Sequence, residues 1–262
     1  MYEIDANKKA WSLLSKDHYE HYKKILEENR YEFNPIVLDE LGDISGKKVL
    51  HLQCNTGADS IMLAKMGAVV TGVDLVPENI YYAEKMADKL DIENINFIES
   101  DIMVLMEKHR DKYDIVLTSD GAVGWIPDLK KWAETIKFFL KDDGYFYMHD
   151  YHPFHLVFDE DELDRGVLSV KYPYFKDDPD LDNYIGGYAS EAKESENYFW
   201  LYKVSDLINS LSSAGLFVEY IHEYDRAVEG MAGRERDEND LMYYPEFEGG
   251  LPLTMSLKAV PR

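Results

Sequence analysis

The chain has 262 residues, and its 51 acidic side chains outnumber 28 basic ones, for a formal net charge of −23. Such a charge argues against a polyanionic partner, because the phosphates of nucleic acids attract Lys and Arg. Hydrophobic residues make up 45% of the chain, enough for a packed core, which excludes global disorder. The single cysteine, Cys54, cannot form an internal disulfide, as is typical of proteins in a reducing compartment.

From the sequence we expect neither a signal peptide nor a membrane span. The first residues, MYEIDANKKAW, contain no apolar stretch like that of a signal peptide. No run approaches the roughly 18 apolar residues that a membrane span requires. We therefore expect a cytoplasmic protein with no membrane partner and no nucleic-acid partner.

Helical patterns open the chain, and strands alternate with helices from Lys48 onward. Apolar spacing predicts helix over 5–41, with a second short helix starting at Asn34-Pro35. Asp59 and Ser205 are the predicted N-caps of two later helices. This alternation predicts a mainly parallel sheet with right-handed crossovers. The predicted strands are 49–52, 69–74, 95–100, 113–119, 145–150, 216–224 and 253–260, and the predicted later helices are 59–67, 77–90, 128–140 and 205–214.

Residues 151–202 interrupt this alternation. The stretch combines acidic runs with many aromatic residues, whereas a disordered linker would be poor in aromatics, so we predict an ordered insertion or lid. Its aromatic residues over 172–202 either form a cage for a cationic or planar substrate or pack the insertion itself. Residues 225–250 are predicted to be a charged loop.

The most informative segment is VLHLQCNTGADSIMLAKMGAVVTGVD, residues 49–74. It reads as strand, tight turn, helix and strand, and it ends in Asp74. The turn lies where the N–H groups of a helix start face a ligand. A carboxylate at the end of the second strand can accept hydrogen bonds from both ribose hydroxyls. The spacing therefore predicts a nucleoside-binding unit.

This segment resembles the first motif of class I S-adenosylmethionine-dependent methyltransferases, which usually reads VLDLGCGTG. His51 stands where the family has an acidic residue, and Gln53 and Asn55 stand where it has glycines, while Cys54, Thr56 and Gly57 match. The chain is closest in pattern to a bacterial branch with an LHLQC-type motif. The likeness extends to YDIVLTSDGAVGWIPDLKKWAETI, FYMHDYHPF and LPLTMSLKAV.

The resemblance implies a Rossmann-like α/β/α three-layer fold with a seven-stranded sheet of order 3-2-1-4-5-7-6. It implies S-adenosylmethionine as the cofactor, with Asp74 on the ribose, Asp101 on the adenine amino group, and Ser119 and Asp120 at the reacting centre. For Asp101 the alternative is a residue that caps a helix start, and for Asp59, which is predicted as an N-cap, the alternative is a contact to the ammonium group of the cofactor. The implied cofactor-binding set is His51, Gln53, Cys54, Asn55, Thr56, Gly57, Asp74, Leu75, Asp101, Ile102, Ser119 and Asp120.

The expected organisation is one methyltransferase domain over 1–262. Within it we expect an N-terminal helical cap (1–45), a cofactor-binding core (46–151), an insertion that covers the substrate (152–202) and a C-terminal helix with the last two strands (203–262). A monomer or a homodimer is compatible with the sequence.

No catalytic residue is fixed by the sequence, because methyl transfer from a sulfonium mainly requires alignment of the reactants. His149, Asp150 and Tyr151, at the end of the fifth strand, are the candidates to line the substrate side, and one of them is a possible general base. The spacing of His149, His152 and His155 suits a metal site poorly, because Pro153 interrupts it, and we expect no metal. Cys54 is expected to be a packed residue rather than a nucleophile.

Trp11 and Tyr19 on the first helix are either a lid over the cofactor or part of the core. The predicted function is transfer of a methyl group to a small molecule. Two alternatives remain. One is a non-catalytic S-adenosylmethionine-binding sensor or accessory protein. The other is a nicotinamide-dependent oxidoreductase, which the missing G-x-G-x-x-G glycines disfavour.

Overall fold

The computed structural model describes residues 2–28, 30–31 and 33–262. Met1, Asn29 and Glu32 fall within the predicted helical cap and lie outside the described residues. The helices are α1 (Tyr2–Glu27), α2 (Pro35–Leu41), α3 (Ala58–Lys65), α4 (Pro77–Lys89), α5 (Leu105–Lys108), α6 (Leu129–Phe139), α7 (Glu160–Leu163) and α8 (Val204–Ser213). The strands are β1 (Lys48–Leu52), β2 (Val69–Asp74), β3 (Ile95–Glu99), β4 (Tyr113–Ser119), β5 (Leu140–Tyr151), β6 (Asp180–Gly187), β7 (Ser190–Phe199), β8 (Leu216–Tyr224), β9 (Glu235–Arg236), β10 (Met242–Tyr243) and β11 (Thr254–Pro261).

The central sheet has seven strands in the described part of the chain, in the order β3-β2-β1-β4-β5-β11-β8. Strands β1 to β5 run parallel, and β11 runs antiparallel to both β5 and β8. With β8 and β11 counted as the sixth and seventh strands, this is the order 3-2-1-4-5-7-6. The structure therefore confirms the predicted fold class.

Alternating side chains on the central strands hold the three layers together. On β4, Ile115 and Leu117 pack with α2 and α3 on one face, whereas Val116 packs with α6 and α8 on the other. All three are buried, because a parallel sheet is covered by helices on both faces. Because β1 to β5 run parallel, the carboxyl ends of β1, β2, β4 and β5 lie at one edge of the sheet. The polar residues of the motif lie at this edge.

Residues 151–202 are ordered, but sequence patterns did not predict their longest element, the antiparallel hairpin of β6 and β7. The hairpin packs against α1, although the two elements are far apart in the sequence. The Asn7 amide donates to the Tyr198 carbonyl at 2.8 Å, and the Tyr198 N–H donates to the Asn7 side-chain oxygen at 2.7 Å. Residues 225–250 contain the short pair β9–β10. No helix among the described residues is both long enough and apolar enough to cross a membrane.

Both predicted helix caps were wrong. Gly57, in a left-handed conformation, is the N-cap of α3, so Asp59 lies inside the first turn of that helix. Lys203 is the N-cap of α8, two residues before Ser205. The Asp206 carboxylate accepts the Lys203 N–H at 3.0 Å, which stabilises this earlier helix start.

Candidate functional site

The turn after β1 keeps the shape of a glycine-rich loop with only one glycine. Gln53 and Asn55 adopt left-handed backbone conformations, with φ of 58° and 50°. Asn tolerates this region better than most residues. The Gln53 amide donates to the Ala122 carbonyl at 2.8 Å, which ties the turn to the loop after β4. A Cβ at Gly57 would lie 2.8 Å from the Ala83 Cβ, so this position requires glycine on steric grounds as well.

Asp74 joins the turn to the loop that follows β2. Its carboxylate accepts hydrogen bonds from the Asn55 N–H at 2.9 Å, the Val76 N–H at 2.9 Å and the Asn79 amide at 3.1 Å. Burial raises the pKa of this carboxyl, and these donors oppose the rise. A carboxylate offers about four acceptor directions, so part of its capacity remains for a ligand. The same side chain thus organises the loops and borders the cavity beside them.

A cavity of about 1270 Å³ opens at this edge of the sheet. Every predicted cofactor-binding residue except Gly57 borders it. Asp101 also holds its own loop, because its carboxylate accepts the Met103 N–H at 2.8 Å. Sites for a single drug-sized ligand usually measure about 300–1,000 Å³, so the cavity has room for two ligands.

A chain of polar side chains crosses the floor of the cavity between β1, α3 and β4. His51 contacts Ser60 at 2.8 Å through Nδ1 and Ser119 at 3.1 Å through Nε2. Ser119 donates to Asp59 at 3.3 Å, and the Tyr31 hydroxyl donates to Asp59 at 2.5 Å. Burial lowers the pKa of His51 to about 4, so this imidazole is neutral at physiological pH. Burial, helped by the charge of Asp120, raises the pKa of Asp59 to about 6.

Of the three catalytic candidates, only Tyr151 borders the cavity. His149 is fully buried behind it, where its Nδ1 contacts Asp120 at 2.5 Å and its Nε2 has no partner among the described residues. Asp150 accepts the N–H groups of Gly121, Ala122 and Val123 at 2.9–3.0 Å. These contacts give His149 and Asp150 supporting positions beneath the loop after β4.

The three histidines of HDYHPFH point to different partners. His152 contacts Glu223 at 2.8 Å, whereas His155 stacks on Tyr151 with ring centroids 6.0 Å apart and borders the cavity. Burial lowers the pKa of His155 to about 4. No group of three or more His, Cys, Asp or Glu side chains suited to a metal ion occurs in the part of the chain that the structure describes.

The first helix and the hairpin form the outer wall of the cavity. The rings of Trp11 and Trp125 lie edge to face, with their centroids 5.2 Å apart. The Tyr22 hydroxyl donates to the Tyr188 hydroxyl at 2.7 Å. All four rings border the cavity. Tyr19, the other predicted lid residue, stacks on Tyr82 in the core instead.

Sequence reasoning missed several cavity residues. His18 and Tyr22 share the helical face of Trp11 at spacings of seven and eleven residues, so periodicity could have found them. Tyr31 carries no such signal, because it lies in a segment whose position depends on long-range packing, whereas Tyr188 belongs to the aromatic stretch 172–202 that was predicted to form either a ligand cage or the packing of the insertion.

The residues that border the cavity fit S-adenosylmethionine, which carries an ammonium group, a sulfonium, a ribose diol and an adenine. The buried Gln53 Oε1 has no hydrogen-bond partner among the described residues. Asp59 is a half-buried carboxylate to which no described basic side chain comes within 4.0 Å. Both observations leave acceptors ready for a cationic, hydrogen-bonding ligand.

Comparisons with known proteins agree with this geometry. The model of a family described as "Methyltransferase domain" matches residues 43–197. Among solved structures, a putative S-adenosylmethionine-dependent methyltransferase from Listeria monocytogenes superposes with a TM-score of 0.58 at 20% identity, covering 87% of this chain and 97% of that one. This likeness concerns the fold.

Two curated relatives each match less than half of the chain. An uncharacterized RNA methyltransferase from Caldanaerobacter subterraneus is 33% identical over 86 residues, or 33% of this chain and 19% of that protein. A ubiquinone biosynthesis O-methyltransferase from Actinobacillus pleuropneumoniae is 30% identical over 119 residues, or 42% of this chain and 50% of that protein. The chain thus spans half or less of the length of these relatives. Because the family model covers more than half of the 262 residues, the chain belongs to the S-adenosylmethionine-dependent methyltransferase domains.

Proposed function

We propose that this protein transfers the methyl group of S-adenosylmethionine to a small molecule that is neutral or cationic, and not to RNA. The charge around the cavity supports this choice. Ten carboxylates but only four Lys or Arg side chains border it, counted over the described residues. A polyanion approaching this opening would be repelled, because a cleft lined by one sign of charge focuses its field.

The four basic side chains are already paired with carboxylates. Lys8 pairs with Glu99 at 3.5 Å and Lys171 with Asp159 at 3.2 Å. Arg30 pairs with Glu28, and Arg236 pairs with both Glu229 and Asp240. The lining therefore holds no cluster of uncommitted guanidinium or ammonium groups for phosphates, which phosphate recognition normally requires. This is the observation on which the proposed acceptor class depends.

The cofactor supplies an activated methyl group, so the protein's task is to align the acceptor and to exclude water. We propose that the predicted residues from His51 to Asp120 hold the cofactor. We propose that Tyr151 and His155, together with the aromatic wall of Trp11, Trp125 and Tyr188, border the acceptor. His155 is neutral at physiological pH, and it can therefore accept a proton from an acceptor that arrives protonated.

Two further assignments follow the same reasoning. We propose that residues 152–202 act as the insertion that covers the acceptor, since the hairpin and Tyr172 border the cavity from that side. We also assign the chain to the branch with an LHLQC-type motif, supported by Gln53 and Asn55 in the conformations that glycines take in the usual motif.

The proposal is tested by incubating the protein with S-adenosylmethionine carrying a labelled methyl group and with pools of amines, phenols, thiols and total RNA. We expect label in a small-molecule pool and none in RNA. Label transferred to RNA would overturn the proposed acceptor class. Failure to bind S-adenosylhomocysteine at millimolar concentration would overturn the cofactor site itself, because calorimetry should give micromolar binding.

A further inference from the structure

Asp59 is a half-buried carboxylate, and among the described residues no cationic side chain lies within 4.0 Å to balance its charge. Its two oxygens accept from the Tyr31 hydroxyl at 2.5 Å and from the Ser119 hydroxyl at 3.3 Å. Among the described residues, no Lys, Arg or His side chain forms a salt bridge with it. The neighbouring Asp120, by contrast, has His149 as its partner. A buried carboxylate without a cation is costly, so a fold retains it when something else provides the positive charge.

A role for Asp59 in holding the local fold does not account for it. Gly57 caps α3, and no described backbone N–H group donates to the Asp59 carboxylate. Its side chain points instead into the cavity floor, between the turn after β1 and the end of β4. The residue is therefore placed for a ligand rather than for the helix that carries it.

Near Asp59, β1 supplies an uncharged imidazole, that of His51, and the carboxylate is supplied by α3. Ser119 has one hydroxyl proton and donates it to Asp59, so Ser119 accepts from the Nε2–H of His51. The Nδ1 of His51 then accepts from Ser60 at 2.8 Å. Because this neutral imidazole is fully buried, β1 contributes no charge to the cavity at this position. His51 acts as a positioning residue that orients Ser119 toward Asp59.

We propose, on the basis of the proposed function, that Asp59 binds the α-ammonium group of S-adenosylmethionine, with the buried Gln53 Oε1 as a second acceptor. An ammonium group has three donors and one positive charge, and it therefore satisfies an uncompensated carboxylate and an unpartnered amide oxygen together. The amino-acid end would then be bound from the first turn of α3, and not from β1, where His51 is uncharged.

The test is a calorimetric double-mutant cycle with two ligands. One ligand is S-adenosylhomocysteine, and the other is its des-amino analogue, which keeps the adenosine and the carboxylate but lacks the ammonium group. Hydrogen bonds to charged groups predict that the wild-type protein prefers S-adenosylhomocysteine by about 10- to 100-fold. Asp59→Asn should reduce this preference to less than about threefold, and Asp59→Glu should restore part of it.

Asp101→Asn is the matched control, since it changes a carboxylate to an amide at another place in the same cavity. It should change the affinity for both ligands by the same factor. If the wild-type protein binds both ligands alike, or if Asp59→Asn weakens both equally, the inference is wrong. If Asp59→Asn leaves both affinities unchanged and raises only the KM of an acceptor, Asp59 serves the acceptor instead. If neither ligand binds the wild-type protein, the proposed function fails and not this inference alone.

Discussion

Replacement of Asp150 should unfold the loop after β4 rather than remove a proton-transfer group. The sequence marks Asp150 as a candidate catalytic residue, but in the structure its carboxylate lies 5% exposed beneath residues 121–123. It accepts the N–H groups of Gly121, Ala122 and Val123 at 3.0, 3.0 and 2.9 Å. In Asp150→Ala these three donors lose their acceptor together.

The expected loss follows from those three bonds. A hydrogen bond to a charged group contributes roughly 1.5–3 kcal/mol, and a buried donor left without a partner costs about 1–3 kcal/mol. Gly121 and Ala122 border the cavity, so water can replace part of the loss. We therefore expect Asp150→Ala to lower the free energy of unfolding by about 3–5 kcal/mol. For a chain of this size, each kcal/mol lowers Tm by about 2–4 °C.

Urea unfolding at pH 8 measures this change, and binding of S-adenosylhomocysteine is measured on the fraction that remains folded. Burial raises the pKa of Asp150 to about 6, so the carboxylate is ionised at pH 8 in the wild-type protein. The raised pKa also means that the buried charge itself costs stability at pH 8, so Asp150→Asn, which keeps one acceptor oxygen without the charge, should lose less stability than Asp150→Ala. If Asp150→Ala unfolds at the wild-type urea concentration and only the pH profile of methyl transfer changes, Asp150 transfers protons and our reasoning is wrong.

Three further outcomes are expected. At Gly124 a Cβ would lie 2.1 Å from the Phe199 ring, so Gly124→Ala should displace the hairpin and speed proteolytic cleavage within 180–199; unchanged cleavage would count against that packing. In the unliganded protein the pKa of Asp59 is about 6, so the association constant of S-adenosylhomocysteine should be flat near pH 8. It should then fall up to tenfold per unit as the pH drops below 6, because the protonated carboxyl cannot balance an ammonium. The fall should be shallower in Asp59→Asn, where Asp150 and Asp74, whose pKa values burial also raises, still take up protons. The raised pKa of Asp59 means that its ionised carboxylate destabilises the folded state above pH 6. Asp59→Asn should therefore stabilise the unliganded protein at pH 8 by about 1–2 kcal/mol. A lower Tm for this variant would contradict the unpaired state of Asp59.

The acidic lining also bears on which relatives are informative about the acceptor. The curated relatives include an RNA methyltransferase and a ubiquinone biosynthesis O-methyltransferase, and they match only 33% and 42% of this chain. The side of the cavity that we propose for the acceptor is formed largely by α1 and residues 152–202, where the aromatic rings of Trp11 and Tyr188 lie. The acceptor is therefore best sought from the charge and shape of this chain's own cavity.

The sequence by itself determined the layered fold. Apolar spacing, β-branched strands and a turn placed between β1 and α3 are local signals, and they predicted a mainly parallel sheet with Asp74 at the end of a strand, whereas the strand order was implied by the family resemblance. The resemblance also implied the cofactor-binding residues, and eleven of them border the cavity, because carboxyl ends of parallel strands meet at one edge of the sheet.

Only the tertiary structure decided which side chains face the cavity and which stand behind it. Tyr31 reaches Asp59 across 28 residues of sequence, and Asn7 holds Tyr198 across 191. Such pairs leave no periodic trace, because each partner is placed by the packing of its own element. For the same reason His149 proved to be buried against Asp120, while His155, six residues later, came to border the acceptor side.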